Sequence, residues 1–381
     1  MSWLPPTWLR RLVLGPLVIV AAIVMLDLTP LWFLVALALT SLVPGRFRLV
    51  RVLWLVTVYL LWDAMLVIAM FGLWIASGFG YALRRPAFVS AHYRLGGWAL
   101  RLLFLIFGSV LRLTITTSGS DDEVPVPTPP PGAADASPGA SGRVGPAAAA
   151  REAFDRLFAP DEPLIVASRH RGPGDSFILI HTLWNEVARR PRIVLKYTLQ
   201  WDPAIDILLH RVPAQFIVPS GFGRTSKGGG ARVEEALAKL ATGLGPQDAF
   251  VIFPEGGNVT AARRTSRIKR LRDAGREDMA ERAEALRHVM APQPGGMHVA
   301  LNAAPDADVV FIAHTGLDRL VTLRDIWREL PMDKGITMRA WRVPRAEIPD
   351  DIDARSRWLF DWFTRIDEWI DAHGADEEPA R

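Results

Sequence analysis

Two short stretches hold the residues best suited to chemistry. The first is Ser168-Arg169-His170-Arg171-Gly172-Pro173-Gly174-Asp175. It follows the apolar run Leu164 to Ala167, read as a strand, and precedes a helical stretch, the place where a sheet hands side chains to a cleft. The Gly-Pro-Gly turn can bring the Asp175 carboxylate back to the His170 ring. A hydrogen bond to one ring nitrogen then leaves the other free to take a proton. No G-x-S-x-G elbow occurs in the chain, so the nucleophile would be a substrate hydroxyl rather than an enzyme side chain. Taken alone the pair is weak evidence: the chain has eight histidines, and a lone His near a strand end is more often structural.

The second stretch, Phe253-Pro254-Glu255-Gly256-Gly257-Asn258, closes another predicted strand and should open onto the same edge of the sheet. Adjacent glycines let backbone N–H groups approach an anion, while Glu255 could hold a hydroxyl or position those glycines, with Asn258 beside them. An ordinary strand-to-loop turn explains the stretch equally well. Lys196, closing a strand, could neutralise a substrate phosphate or merely cap the sheet. Arg224 and Lys227 lie in the Gly-rich run 221–230, which lacks the Gly-Lys-Ser/Thr ending of a nucleotide loop but could fold round an anion. Arg263, Arg264, Arg267, Lys269, Arg270 and Arg272 form a basic run that could face lipid phosphates. A solvated helix face is the commoner explanation.

These residues need elements to position them. Strand-like runs at Leu164 to Ala167, Ile193 to Lys196, Gln215 to Val218, Phe250 to Phe253 and Val309 to Ala313 alternate with helical stretches at Asp175 to Arg189, Ala231 to Thr242 and Glu277 to Met290. The alternation predicts an α/β fold, a mainly parallel sheet flanked by helices. A helix from Ile352 to Ala372, rich in Trp and Phe, should pack on the domain or on lipid. Residues 118–150, rich in Pro, Ala, Gly and Ser, read as a disordered insertion. The division expected is 1–86 membrane-embedded, 87–117 interfacial helix and start of the catalytic part, 118–150 insertion, 151–375 catalytic domain.

Half of the 381 residues are hydrophobic, and the apolar excess is concentrated before residue 115. The run from Leu12 to Val43 is broken at Asp27, Thr29 and Pro30, which predicts two short helices that either cross or dip into the bilayer as a hairpin. Val52 to Phe79 is long enough to cross, but Asp63 interrupts it. Arginines flank every apolar run. All can face the cytoplasm only if Val52 to Phe79 re-enters, which is the arrangement expected. His92 to Leu113 reads as an amphipathic helix along the interface, or alternatively as a buried core helix. The formal charge of +4 suits anionic lipid, and nothing requires nucleic acid; the chain has no cysteine, which excludes disulfides and thiolate metal sites.

The order strand, His-x-x-x-x-Asp, helix, and later Phe-Pro-Glu-Gly resembles the glycerolipid acyltransferases, including 1-acylglycerol-3-phosphate acyltransferases, over about Ala91 to His373 without the insertion. The segment after the third motif is nearer the lysocardiolipin-acyltransferase-like branch. The resemblance implies His170 as general base, Asp175 as its orienting partner and Phe253 to Gly256 in the acceptor site. It also implies acyl-CoA or acyl carrier protein as the thioester donor, a lysophospholipid acceptor, membrane lipids as partners, and no cofactor or metal. The protein is expected at the cell membrane with the catalytic domain on the cytoplasmic face. Gly257-Asn258 stand where the family has Thr-Arg, and Pro219-Ser220 where its phosphate-gripping arginine falls, so Arg224 or Lys227 would have to substitute. Other expectations compatible with the residues are a different membrane acceptor such as a glycolipid or lysocardiolipin, a thioesterase, or an inactive lipid-binding scaffold.

Overall fold

The computed structural model describes residues 4–43, 45, 47–119, 146–217, 229–316, 327–330 and 332–374. Most of the expected insertion, together with Arg224, Lys227 and Val218, lies outside them.

Four helices come first: α1 (Thr7–Asp27), α2 (Thr29–Leu39), α3 (Arg48–Ala76) and α4 (Pro86–Leu111). The break between α1 and α2 falls at Leu28, as the Asp-Leu-Thr-Pro sequence predicts. The expected interruption of the third run does not occur, because α3 is one continuous helix through Asp63. Asp63 is buried against protein, where the N–H of Ala204 donates to it at 2.9 Å and offsets part of the cost of burying a carboxyl group. The helices α1, α3 and α4 are long and apolar enough to cross a membrane.

The sheet contains β1 (Thr114–Ser118), β2 (Leu164–Ser168), β3 (Arg190–Lys196), β4 (Ala214–Ile217), β5 (Asp248–Ile252), β6 (Asp308–Thr315) and β7 (Gly335–Val343), in the order β1-β7-β6-β2-β5-β3-β4. The strands β6, β2, β5, β3 and β4 run parallel, while β7 is antiparallel to β6 and β1 parallel to β7. The expected α/β architecture is present, a mostly parallel sheet flanked by helices. Residues alternate between two cores. Leu164, Val166, Val310 and Ile312 pack beneath α5 (Pro146–Leu157) and α6 (Pro173–His181). Ile165, Ala167, Phe250 and Phe311 face α8 (Gly229–Ala241), α10 (Glu277–Ala285), α11 (Pro294–Ala303) and α12 (Ile352–His373). Each fully buried Leu, Ile or Phe contributes about 1.5–3 kcal/mol.

Several boundaries differ from expectation, those of the helices most. The helix α5 starts at Pro146, inside the stretch assigned to the insertion, because Phe154 and Phe158 anchor it in the core. The helix after Asp175 stops at His181 and widens into a π-turn over Thr182–Glu186 rather than running to Arg189. The helix α10 ends at Ala285, five residues before Met290. Trp358 and Trp362 of α12 pack on the sheet, against Phe311.

The N-terminal helices form a layer on this domain. A third core joins Val18, Leu66, Val67, Met70 and Ala99 to Ala204 and Ile207 of α7 (Pro203–Leu209). Buried Arg10 pairs with Asp206 at 2.7 Å, Tyr59 donates to Asp202, and Arg211 donates to the carbonyl of Met70 at 2.8 Å. Further along, Arg48 donates to the carbonyls of Arg328 and Leu330. The opposite face of the layer is apolar and exposed at Leu12, Leu17, Leu34, Phe71 and Leu105.

Candidate active site

The parallel strands deliver their carboxyl ends to one rim, and both sequence motifs lie on it. His170 follows β2, Glu255 follows β5, and Lys196 is the last residue of β3. The link from β2 to α6 is short because Pro173 supplies a pre-set first turn and Gly172, extended at φ −147°, caps it. Asp175 sits in that turn, where a carboxylate is favoured by the helix dipole. Its Oδ2 accepts hydrogen bonds from the N–H groups of Arg171 at 2.5 Å and Gly172 at 2.7 Å. Those two donors are therefore occupied and do not form an oxyanion hole.

The structure brings His170 and Asp175 together. Nδ1 of His170 is 3.8 Å from Asp175 Oδ2, closer than a random pair but longer than a hydrogen bond. Both side chains are buried, and the Phe253 ring packs on the imidazole with centroids 4.6 Å apart. Burial holds the His170 pKa down to about 4 against the pull of Asp175, with Lys196, His314 and Arg263 acting in the same sense as burial. The ring is thus neutral at physiological pH and able to accept a proton.

Glu255 has a different place from the one expected for a substrate contact. It is 0% exposed. One carboxylate oxygen accepts the N–H of His170 and the other the N–H of Met290 at 2.7 Å. Burial raises its pKa to about 7, opposed by those two N–H groups and by Arg169. Glu255 therefore braces the backbone beneath His170. Gly256 and Gly257 adopt φ values of +68° and +146°, and a Cβ on Gly257 would collide with the Arg263 guanidinium. Asn258 accepts from Arg263 through its backbone carbonyl at 3.3 Å, and its buried Oδ1 has no hydrogen-bond partner among the described residues.

The basic run is the helix α9 (Ala261–Asp273), with Lys269, Arg270 and Arg272 on its exposed face. Arg267 turns inward instead and donates to the carbonyls of Ala291 at 2.6 Å and Glu255 at 3.0 Å. Exposed Arg263 folds back over the Gly257 turn. The sequence named Arg263 only as one of a basic run that could face lipid phosphates or the acceptor headgroup, and it missed His314, which lies one residue beyond the predicted end of β6. Its Nε2 is 3.8 Å from Asp175 Oδ2, and the period-2 stripe Val310, Ile312, His314 was the available signal.

A neutral histidine beside a buried aspartate, with Lys196 and Arg263 near it, is an arrangement able to take a proton close to positive charge. In a comparison with protein families, residues 151–315 match the family described as Acyltransferase. The match covers β2 to β6 with both motifs, and it supports the glycerolipid acyltransferase resemblance and acyl transfer as the general activity. A search of curated proteins finds no match.

Proposed function

We propose that the protein transfers a fatty acyl group from a thioester, acyl-CoA or acyl carrier protein, to the free hydroxyl of 1-acylglycerol 3-phosphate, giving phosphatidic acid. The observation that carries this reading is the buried, neutral His170 beside Asp175. The His170 ring takes the hydroxyl proton as the oxygen attacks the thioester carbonyl, and returns it to the sulfur as the carbon–sulfur bond breaks. Asp175 steadies the imidazolium formed between these steps. Lys196 and Arg263 supply positive potential for the acceptor phosphate, with the Gly256-Gly257-Asn258 turn beneath Arg263 and Arg224 as a further phosphate contact.

We also place the helical layer in one leaflet, with the catalytic domain on the cytoplasmic side. The polar contacts of α3 with the domain run from Arg48 to Met70, about 33 Å of helix. A perpendicular crossing would drag those domain groups through a hydrocarbon core about 30 Å thick.

The test follows labelled acyl-CoA and acyl carrier protein with 1-acylglycerol 3-phosphate in detergent micelles. Acceptor-dependent phosphatidic acid is expected from the wild type, with a loss of at least about a hundredfold in His170→Ala. Acyl release without acceptor would mark a thioesterase. No turnover of either donor by folded protein would remove the proposal.

A further inference from the structure

His314 stands where the stripe of β6 calls for another aliphatic residue. Val310 and Ile312 point into the core beneath α5 and α6, and His314 is next in the period-2 alternation. Its partner across β7 is Met338, a member of the same core. The first turn of α6 crosses this strand end and sets Asp175 against the ring. His314 is 3% exposed, so an imidazole is desolvated at a place an aliphatic residue would fill more cheaply. Oδ2 of Asp175 lies 3.8 Å from His314 Nε2 and also 3.8 Å from His170 Nδ1. One carboxylate oxygen thus lies equally far from two imidazoles, each separation longer than a hydrogen bond but within reach of charge.

We propose that His314 is a positioning residue, which packs a second imidazole against the Asp175 carboxylate and so decides how firmly Asp175 fixes the base. The inference rests on the acyl-transfer reading of the site. Two backbone N–H groups already tether Oδ2, but both belong to the turn that carries Asp175. His314 comes from the sheet and sets a rigid element against the carboxylate. Charged groups close to the trio are Glu255 and Arg169 from the loops after β5 and β2, Lys196 from β3, and Arg263 from α9. The neighbouring strand β7 presents Met338, while its Arg339 stacks on Trp341 on the other face. A proton on His314 opposes a proton on His170. Removing the ring takes away the charge that opposes a proton on His170, and His170 should then hold its proton to higher pH.

The experiment uses the full chain in detergent micelles, as wild type, His314→Asn and His314→Gln. Two quantities are measured: kcat and acceptor KM, and the pH midpoint at which His170 becomes reactive toward diethyl pyrocarbonate, followed by mass spectrometry. For His314→Asn, kcat should fall on the order of tenfold while KM stays within about twofold. The His170 midpoint should move to higher pH. His314→Gln, whose amide can reach toward Asp175, should recover part of the rate. In variants that melt like the wild type, an unchanged kcat or an unmoved midpoint overturns the proposal. If the wild type itself transfers no acyl group, the acyl-transfer reading fails, and the midpoint still decides whether His314 acts on His170.

Discussion

At Glu255 both carboxylate oxygens end on backbone N–H groups, one of them that of His170. The sequence placed this residue at the carboxyl-end rim of the sheet, because Pro-Glu-Gly follows a strand-like run. It could not show which way the side chain turns, since that depends on Met290, a residue far along the chain. His170 and Asp175 were legible for the opposite reason: five residues with two glycines and a proline leave few ways to connect them. The burial of His170 also has a thermodynamic sign. Its pKa falls from 6.5 in the unfolded chain to about 4 when folded, so between these values the unfolded state binds more protons and stability falls as pH drops. His170→Asn removes this penalty. Relative to wild type, the melting temperature of the variant should therefore rise as pH is lowered from 6.5 toward 4, measured by scanning fluorimetry.

Among elements, the central strands β2, β5 and β6 were readable as short apolar runs because both their faces are buried. The edge strand β1 was not: Thr114–Ser118 is largely exposed and carries no apolar period. The strand β7 mixes arginines with its alternation and was passed over. The tight packing of α4 was equally hidden, since glycine in a helix signals nothing until the neighbour is known. A Cβ on Gly96 would come within 2.7 Å of the Trp184 ring and 3.0 Å of Leu208. Gly96→Leu should therefore push α4 off the domain and cost about 1–3 kcal/mol, seen as a lower melting temperature in detergent. Leu105→Ala, on the exposed face of the same helix, should leave melting unchanged.

For the molecule as a whole, composition located the apolar N-terminal helices, the arginine distribution suggested that α3 re-enters, and its contacts with the domain support the same course. The cysteine-free chain permits a direct check. Single cysteines at Ser41 and Tyr81, which are exposed and lie just outside opposite ends of α3, should both react with an impermeant maleimide from the side that carries the catalytic domain. Reaction of one site from each side would restore a crossing helix.

The strand β1 has a mechanical meaning. Only Arg112 and Leu113 separate it from α4, and its ladder to β7 fastens the layer to one edge of the sheet, while α7 grips it through Arg10, Asp63 and Met70 near the other. Two attachments of that kind leave the layer and the sheet to move together. For the lipid acceptor proposed above, encounters would then become a two-dimensional search, paced by lateral diffusion and by the mole fraction of acceptor in the lipid film rather than by its concentration in bulk water.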